Sequence, residues 1–332
     1  MKELWLKIPL ERRRILVAFL VLCSISAAVK YFAPSNDKKI QAKSPEDHSK
    51  LLSKYTFAGE VLPFDSPPIW KRYRAEINKN KIPSQVNLHM IKASRRWFPL
   101  IEPILKRYGI PKDFKYIAAG ESKFVQAKSA KGAGGFWQMM PSTARELGLE
   151  VNEEVDERYN VMKSTEVACR FFKQNYKIFG DWTSVVIAYN IGTYGLLKLK
   201  KFQKMDNAHF LKSNRETERY FFLVMACKDL IEHPSNYGYR IRKSRPVSQV
   251  KTLTVNKSIT DLQQFCKQHN IDLATLKSYN PWIRSSKLTI KKETRNKSYA
   301  LILPIRPMDF SEGLSEDNSS ENIPVGDTAI AP

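Results

Sequence analysis

RRWFPLIEPILKRYGIPKDFKYIAAGESKF, residues 95–124, decides the fold class. Leu100, Ile101, Ile104, Leu105 and Tyr108 recur at helical spacing and form one apolar stripe. Pro99 and Pro103 are expected to break or re-angle a helix that begins near Val86. Gly109 supplies a stop, and Pro111 suits the first position of a following helix. That second helix turns Phe114, Ile117 and Ala118 inward and runs into Glu121.

Outward from this stretch the helical pattern continues. SAKGAGG, 129–135, is a loop of small residues, followed by FWQMM and a short helix opened by Pro141 and closed by Gly148. Ser164 to Phe179 stacks Val167 on Phe171 and Ala168 on Phe172 at i,i+4, with Gly180 at the stop. Asp181 is a natural N-cap for a helix holding Val185, Val186 and Ala188 and ending at Tyr189-Asn190. A last long helix covers Arg215 to Glu232. No stretch between 85 and 235 alternates like a strand, so this region is expected to be an all-helical domain. Upstream, 35–84 reads as a lysine-rich tether and a proline-rich lead-in, with PFDSPP at 63–68 outside regular structure.

Downstream the composition changes. Residues 236–249 form a basic linker, and 250–306 read as a β-α-α-β unit. Its strands are Val250–Val255 and Tyr299–Leu303; its helices carry Leu262 and Phe265, then Leu273 and Leu276, and Tyr279-Asn280-Pro281 is a turn. A unit of this size is small for a core of its own. The tail, 307–332, holds five acids and no base from Ser311 onward, and is expected to be disordered. The fold class is therefore mainly α, a helical domain plus a small β-α-α-β domain.

The chain has 332 residues with 55 Lys+Arg against 33 Asp+Glu, a net charge of +22. A hydrophobic content of 42% excludes disorder throughout, and 27% charged residues exclude a polytopic membrane protein. Charge alone leaves nucleic acid, an anionic membrane and an anionic envelope open as partners. The N-terminus narrows them. Arg12-Arg13-Arg14 abut an uncharged run from Ile15 to Val29, about 22 Å as a helix against a ~30 Å hydrocarbon core. Residues 1–34 are thus an export signal, cleavable after Ala28, or a short anchor in the inner membrane. Leu22 stands where a lipidated Cys23 wants a small residue, so lipidation is not expected. The rest of the chain is expected in the periplasm or cell envelope, with no nucleic-acid partner. Cys169, Cys227 and Cys266 show no CxxC spacing and read as buried hydrophobes, with a Cys169–Cys227 bridge left open.

Glu121 is the residue with chemistry in reach. At a helix end beside a glycine-containing loop it would be partly desolvated, which raises a carboxyl pKa and suits a general acid near neutrality. The plain alternative is a solvated helix-end charge. Its company decides: Ser122, then GGFWQMMP at 134–141, AYNIG at 188–192 and ETERY at 216–220.

In that order these motifs resemble the lytic transglycosylases of the goose-type-lysozyme-like superfamily, over about Phe57 to Tyr239. FAGEVLPF at 57–64 and the 95–124 stretch belong to the likeness. The resemblance implies a lysozyme-like helical domain at 85–235 acting on peptidoglycan glycan strands, with no metal or cofactor. Glu121 would be the single catalytic acid/base. Ser122 would help to orient the substrate, Gln138 would line the sugar cleft, Tyr189 and Asn190 would complete the site, and Tyr220 would close the groove. The implied reaction uses the 6-hydroxyl of N-acetylmuramic acid in place of water. It leaves a 1,6-anhydro end and needs no second carboxylate within the ~5–9.5 Å of paired-acid glycosidases. A water-using muramidase and a catalytically silent peptidoglycan-binding protein remain as alternatives, and a monomer is expected. Ile191, Thr193 and Tyr194 depart from the family's A-Y-N-A-G-E-G, and Asn160-Val161 stands where Asp-Pro is common. Asp181, a second acid, is expected to be an N-cap and not a catalyst. Residues 250–306 resemble a degenerate LysM module. TLTV at 252–255, SITDL at 258–262, LKSYN at 276–280 and LILP at 301–304 carry that likeness, and an insertion at 284–298 departs from it.

Overall fold

The computed structural model describes residues 55–240, 250–290 and 298–305. The signal or anchor segment 1–34, most of the tether, linker residues 241–249 and the acidic tail lie outside the described residues. Ten α-helices and two small antiparallel sheets make up the described part. None of these helices is long and apolar enough to cross a membrane.

The lead-in has more structure than its sequence suggested. Strands β1 (Thr56–Phe57) and β2 (Glu60–Val61) form a hairpin that inserts Phe57 against Phe114 and Phe221. Helix α1 (Pro67–Asn80) starts inside PFDSPP, with its prolines in the first turn, where a missing N–H costs nothing. It buries Ile69, Tyr73 and Glu76.

Helix α2 (Gln85–Tyr108) runs unbroken through Pro99 and Pro103, against expectation. Both prolines are exposed. They stand on the solvent side of the helix, away from the residues it buries, so neither ring intrudes on the packed face. The opposite face buries Met90, Ile91, Trp97, Phe98, Ile101, Ile104 and Leu105. Gly109, at φ 71°, caps the helix in the left-handed region. A single 3₁₀ turn, Lys112–Phe114, leads into α3 (Lys115–Ser122).

The remaining helices are α4 (Pro141–Glu146), α5 (Val161–Phe179), α6 (Trp182–Ile191), α7 (Thr193–Gln203) and α8 (Arg215–Glu232). Asn160 caps α5 through its side chain, so α5 begins three residues before the expected Ser164. Asp181 caps α6, accepting from Ser184 N–H, as read from sequence. Helix α8 has the expected bounds and packs against α1, α3, α6 and α2. Helix α7 had no counterpart in the sequence reading.

The C-terminal unit has the expected order: β3 (Val250–Val255), α9 (Leu262–Gln268), α10 (Leu273–Tyr279) and β4 (Tyr299–Pro304). The two strands pair antiparallel from Val250↔Pro304 to Val255↔Tyr299. Asn280, fully buried, ties α10 to β4: its amide donates to Leu276 O and Ile302 O, and its Oδ1 accepts from Ile302 N–H. The unit does not build its core alone. Val155 and Tyr159, from the helical domain, are members of the same apolar cluster as Leu262, Leu276, Trp282 and Leu301. Cys169, Cys227 and Cys266 are buried free thiols, so the Cys169–Cys227 bridge is not formed.

Candidate active site

Glu121 sits in the last turn of α3. The helix ends immediately after it because Lys123 and Phe124 both adopt left-handed backbone, at φ 52° and 59°. Ser122 is spent on this ending: its hydroxyl donates to Ala118 O and accepts from Phe124 N–H. Gly120 lets α3 approach α8 closely, since a Cβ there would lie 3.3 Å from Val224 Cγ2. Four residues earlier on α8, buried Tyr220 donates its hydroxyl to Glu121 Oε1.

The carboxyl of Glu121 is pushed up to about 6. Burial is the main cause. Tyr220's hydrogen bond and the charge of Lys123 oppose it, and the field of Glu216 adds to it. Tyr189 is close enough to feel Glu121's charge, and burial holds its phenol well above the usual tyrosine range. Its hydroxyl donates to Trp137 O at 2.6 Å. Asn190 is tied to α8. Its Oδ1 accepts from Thr217 Oγ1 at 3.3 Å, joining α6 to α8 one turn before Tyr220.

Gln138 lies on a tight hairpin closed by Gly134 N–H to Met139 O (3.0 Å) and Met139 N–H to Gly134 O (3.1 Å). Gln138 itself has φ 46°, a conformation that costs a non-glycine residue of order 1 kcal/mol and tends to be kept at functional sites. Its amide nitrogen donates to Gly135 O (2.8 Å) and Ala127 O (3.3 Å). Both N–H groups are thus used, and Oε1 is the atom it can offer a ligand. Gly135 is obligatory: φ is 76°, and a Cβ would fall 1.8 Å from Arg158 O.

Glu121, Tyr220 and Tyr189 are therefore gathered at one point. Gln138 is linked to it through Trp137 and Tyr189, Asn190 through Thr217, and Ser122 shapes the helix end. Two charged neighbours of Glu121, Lys123 and Glu216, were not singled out from sequence, although Glu216 opens the quoted ETERY. Nor was Arg158, which shapes the glycine hairpin; its signal was an Asp-x-Arg pair in a segment otherwise read as connecting. Among the described residues no cluster of His, Cys, Asp and Glu could hold a metal ion.

Comparison with known proteins bears on this arrangement. Residues 99–209 match the model of the transglycosylase SLT domain. Residues 251–306 match the soluble lytic transglycosylase C-terminal LysM-like domain. The chain is 29% identical over 193 residues to the membrane-bound lytic murein transglycosylase D of Escherichia coli (strain K12), and equally to that of Escherichia coli O6:H1. The match takes in 55% of this chain and 42% of each relative, so the chain spans less than half the length of these curated relatives. The chain is a homologue of these transglycosylases, built of an SLT transglycosylase domain that carries Glu121 and a C-terminal LysM-like domain.

Proposed function

We propose that this chain is a lytic murein transglycosylase, cleaving the MurNAc–GlcNAc β-1,4 bond of peptidoglycan and leaving a 1,6-anhydro-MurNAc end. The observation that carries the reading is the state of Glu121, held near 6 by burial on a helix of the SLT domain, under a tyrosine hydroxyl. A carboxyl poised there keeps a proton to give at mildly acidic pH and gives it readily. Glu121 protonates the glycosidic oxygen as the C1–O bond breaks. The carboxylate so formed then takes the proton of the MurNAc 6-hydroxyl as that oxygen closes on C1. Proton and bonds balance with one carboxyl and no water. The tethered hydroxyl competes well because its effective concentration is very high.

The other residues support this step. Tyr220 holds the carboxyl, Tyr189 ties the neighbouring hairpin to α6 through Trp137 O, and Gln138 offers Oε1 to the N–H of an N-acetyl group. Asn190 and Ser122 fix the α6–α8 contact and the end of α3. We take the site of action to be the cell envelope outside the inner membrane, with the chain acting as a monomer on glycan strands and residues 1–34 as its export signal or anchor. The relatives' murein substrate and the net charge of +22 support an anionic envelope partner over nucleic acid.

One observation favours a second reading. Glu216 is exposed in the first turn of α8 and its charge reaches Glu121. A carboxylate in that position is the candidate water base of a muramidase. Mass analysis of muropeptides released from purified sacculi separates the two. The transglycosylase gives 1,6-anhydro ends, lighter by one water than reducing ends, and Glu216→Gln leaves that product pattern unchanged. A digest dominated by reducing ends that disappears in Glu216→Gln makes the protein a muramidase.

A further inference from the structure

The segment 150–160 lies between the LysM-like module and the glycine hairpin, and it bonds to both. On the module side, Asp156 N–H donates to Trp282 O (2.9 Å) and Arg284 N–H to Glu154 O (2.8 Å). Val155 bridges to Ile283, and with Tyr159 it enters the module's core. Lys287 pairs with Glu154 at 3.0 Å. A second contact reinforces the first: the Arg96 guanidinium stacks on Tyr279 (3.9 Å) and Trp97 (4.6 Å) and donates to Ser278 O (3.0 Å).

On the catalytic side the segment turns one side chain inward. Arg158, only 4% exposed, is gripped by the Asp156 carboxylate through Nε–Oδ1 (2.9 Å) and Nη2–Oδ2 (2.7 Å). Its remaining nitrogen, Nη1, donates to Met139 O (3.1 Å), at one end of the hairpin that carries Gln138, and to Gly132 O (2.7 Å), in the turn that leads into its other end. The far side of that hairpin is held by Tyr189, bonded to Trp137 O beside Glu121. A buried bidentate pair has one geometry, so a shift of Asp156 is passed to the hairpin and is not absorbed.

We propose that Arg158 is a positioning residue, and that the docked LysM-like module sets the shape of the Gln138 hairpin through Asp156 and Arg158. The module is then a brace of the catalytic cleft and not only a glycan tether. The kinetic part of this inference rests on the transglycosylase reading; the mechanical part does not.

The test uses the full chain. Arg96→Ala with Glu154→Lys loosens the docking and touches neither hairpin nor Glu121. Arg158→Lys keeps the charge and loses the fork. In both, hydrogen exchange at the Gly134 and Met139 amides is expected to speed up by at least about tenfold at a temperature where the fold is intact. On a soluble glycan fragment kcat is expected to fall ~10-fold or more with KM little changed, since a loosened cleft loses orientation more than contact. Binding to sacculi, measured in a Glu121→Gln background, is expected to stay within twofold. Wild-type exchange at 134–139 in the docking variant overturns the inference. So does a loss of sacculus binding with kcat preserved, which makes the module a tether. An active Glu121→Gln enzyme overturns the transglycosylase reading instead, and leaves the exchange experiment standing.

Discussion

Adjacent residues on α8 each hold a glutamate, with opposite consequences. Arg219 binds Glu76 of α1 through two nitrogens, at 3.0 and 2.8 Å, and Lys79 adds a third charged bond. Tyr220 binds Glu121 of α3 through one neutral hydroxyl. Burial pushes both carboxyls up. At Glu76 it is outweighed by the hydrogen bonds of Arg219 and Lys79 and by their charges, so the group ends below its ordinary range. At Glu121 the phenol and the more distant Lys123 do not suffice, and the group ends near 6. Desolvation is common to both sides of α8; the partner decides the sign. A buried acid left short of charge compensation costs stability, which is the cost expected of the catalytic role proposed for Glu121.

The largest expected effect falls on activity. Glu121→Gln keeps shape and removes the proton, and glycan cleavage should drop ~10²–10⁴-fold while the fold persists. Retention of half the wild-type rate on sacculi would end the assignment of Glu121. On the other face, Glu76→Gln should leave the turnover rate unaltered and destabilise the protein by about 2 kcal/mol through its weakened bonds to Arg219 and Lys79, measured by urea denaturation.

The two glutamates also set opposite slopes of stability against pH. Between 4.5 and about 6, folded Glu121 keeps a proton that the unfolded chain has lost, so stability falls as pH rises through that window, by at most about 2 kcal/mol. Glu121→Gln should remove this slope and stabilise the protein above pH 6. Glu76 contributes stability above 4.5 that is lost as pH falls through its lower folded value. The smallest change comes from Tyr220→Phe. It deletes a bond that favours the carboxylate, so the alkaline limb of the activity profile, set by loss of the Glu121 proton, should move to higher pH. A limb that moves to lower pH would show that the tyrosine favours the acid form.

Much of this frame was legible because its signals are local. The Asp181 cap, the bounds of α8 and the β-α-α-β order of the module follow from caps, periodicity and alternation over a few residues each. The unbroken α2 was not legible, because a helix tolerates proline better on its solvent side than on its packed face, and only packing decides which side that is. Helix α1 was hidden by its own two prolines, which read as breakers until their first-turn position is known. Glu121, Tyr189 and Tyr220 were found together through ordered motifs 30 to 70 residues apart. Arg158 was not, since its partners Gly132, Met139 and, through Asp156, Trp282 lie about 20 to 125 residues away and nothing at Arg158 itself points to them. Ser122's local bonds to Ala118 O and Phe124 N–H were not legible either, since they depend on the left-handed turn that ends α3.

Glu121 holds its proton at a pH where Glu76 has lost its own. Titration of the two side-chain carboxyls by ¹³C NMR in the full chain, with Glu121→Gln and Glu76→Gln to assign the signals, measures this directly. The expected result is a midpoint near 6 for Glu121 and one below 4.5 for Glu76. A Glu121 midpoint at or below 4.5 would contradict it, leaving the residue an ordinary carboxylate with no proton to give near neutrality.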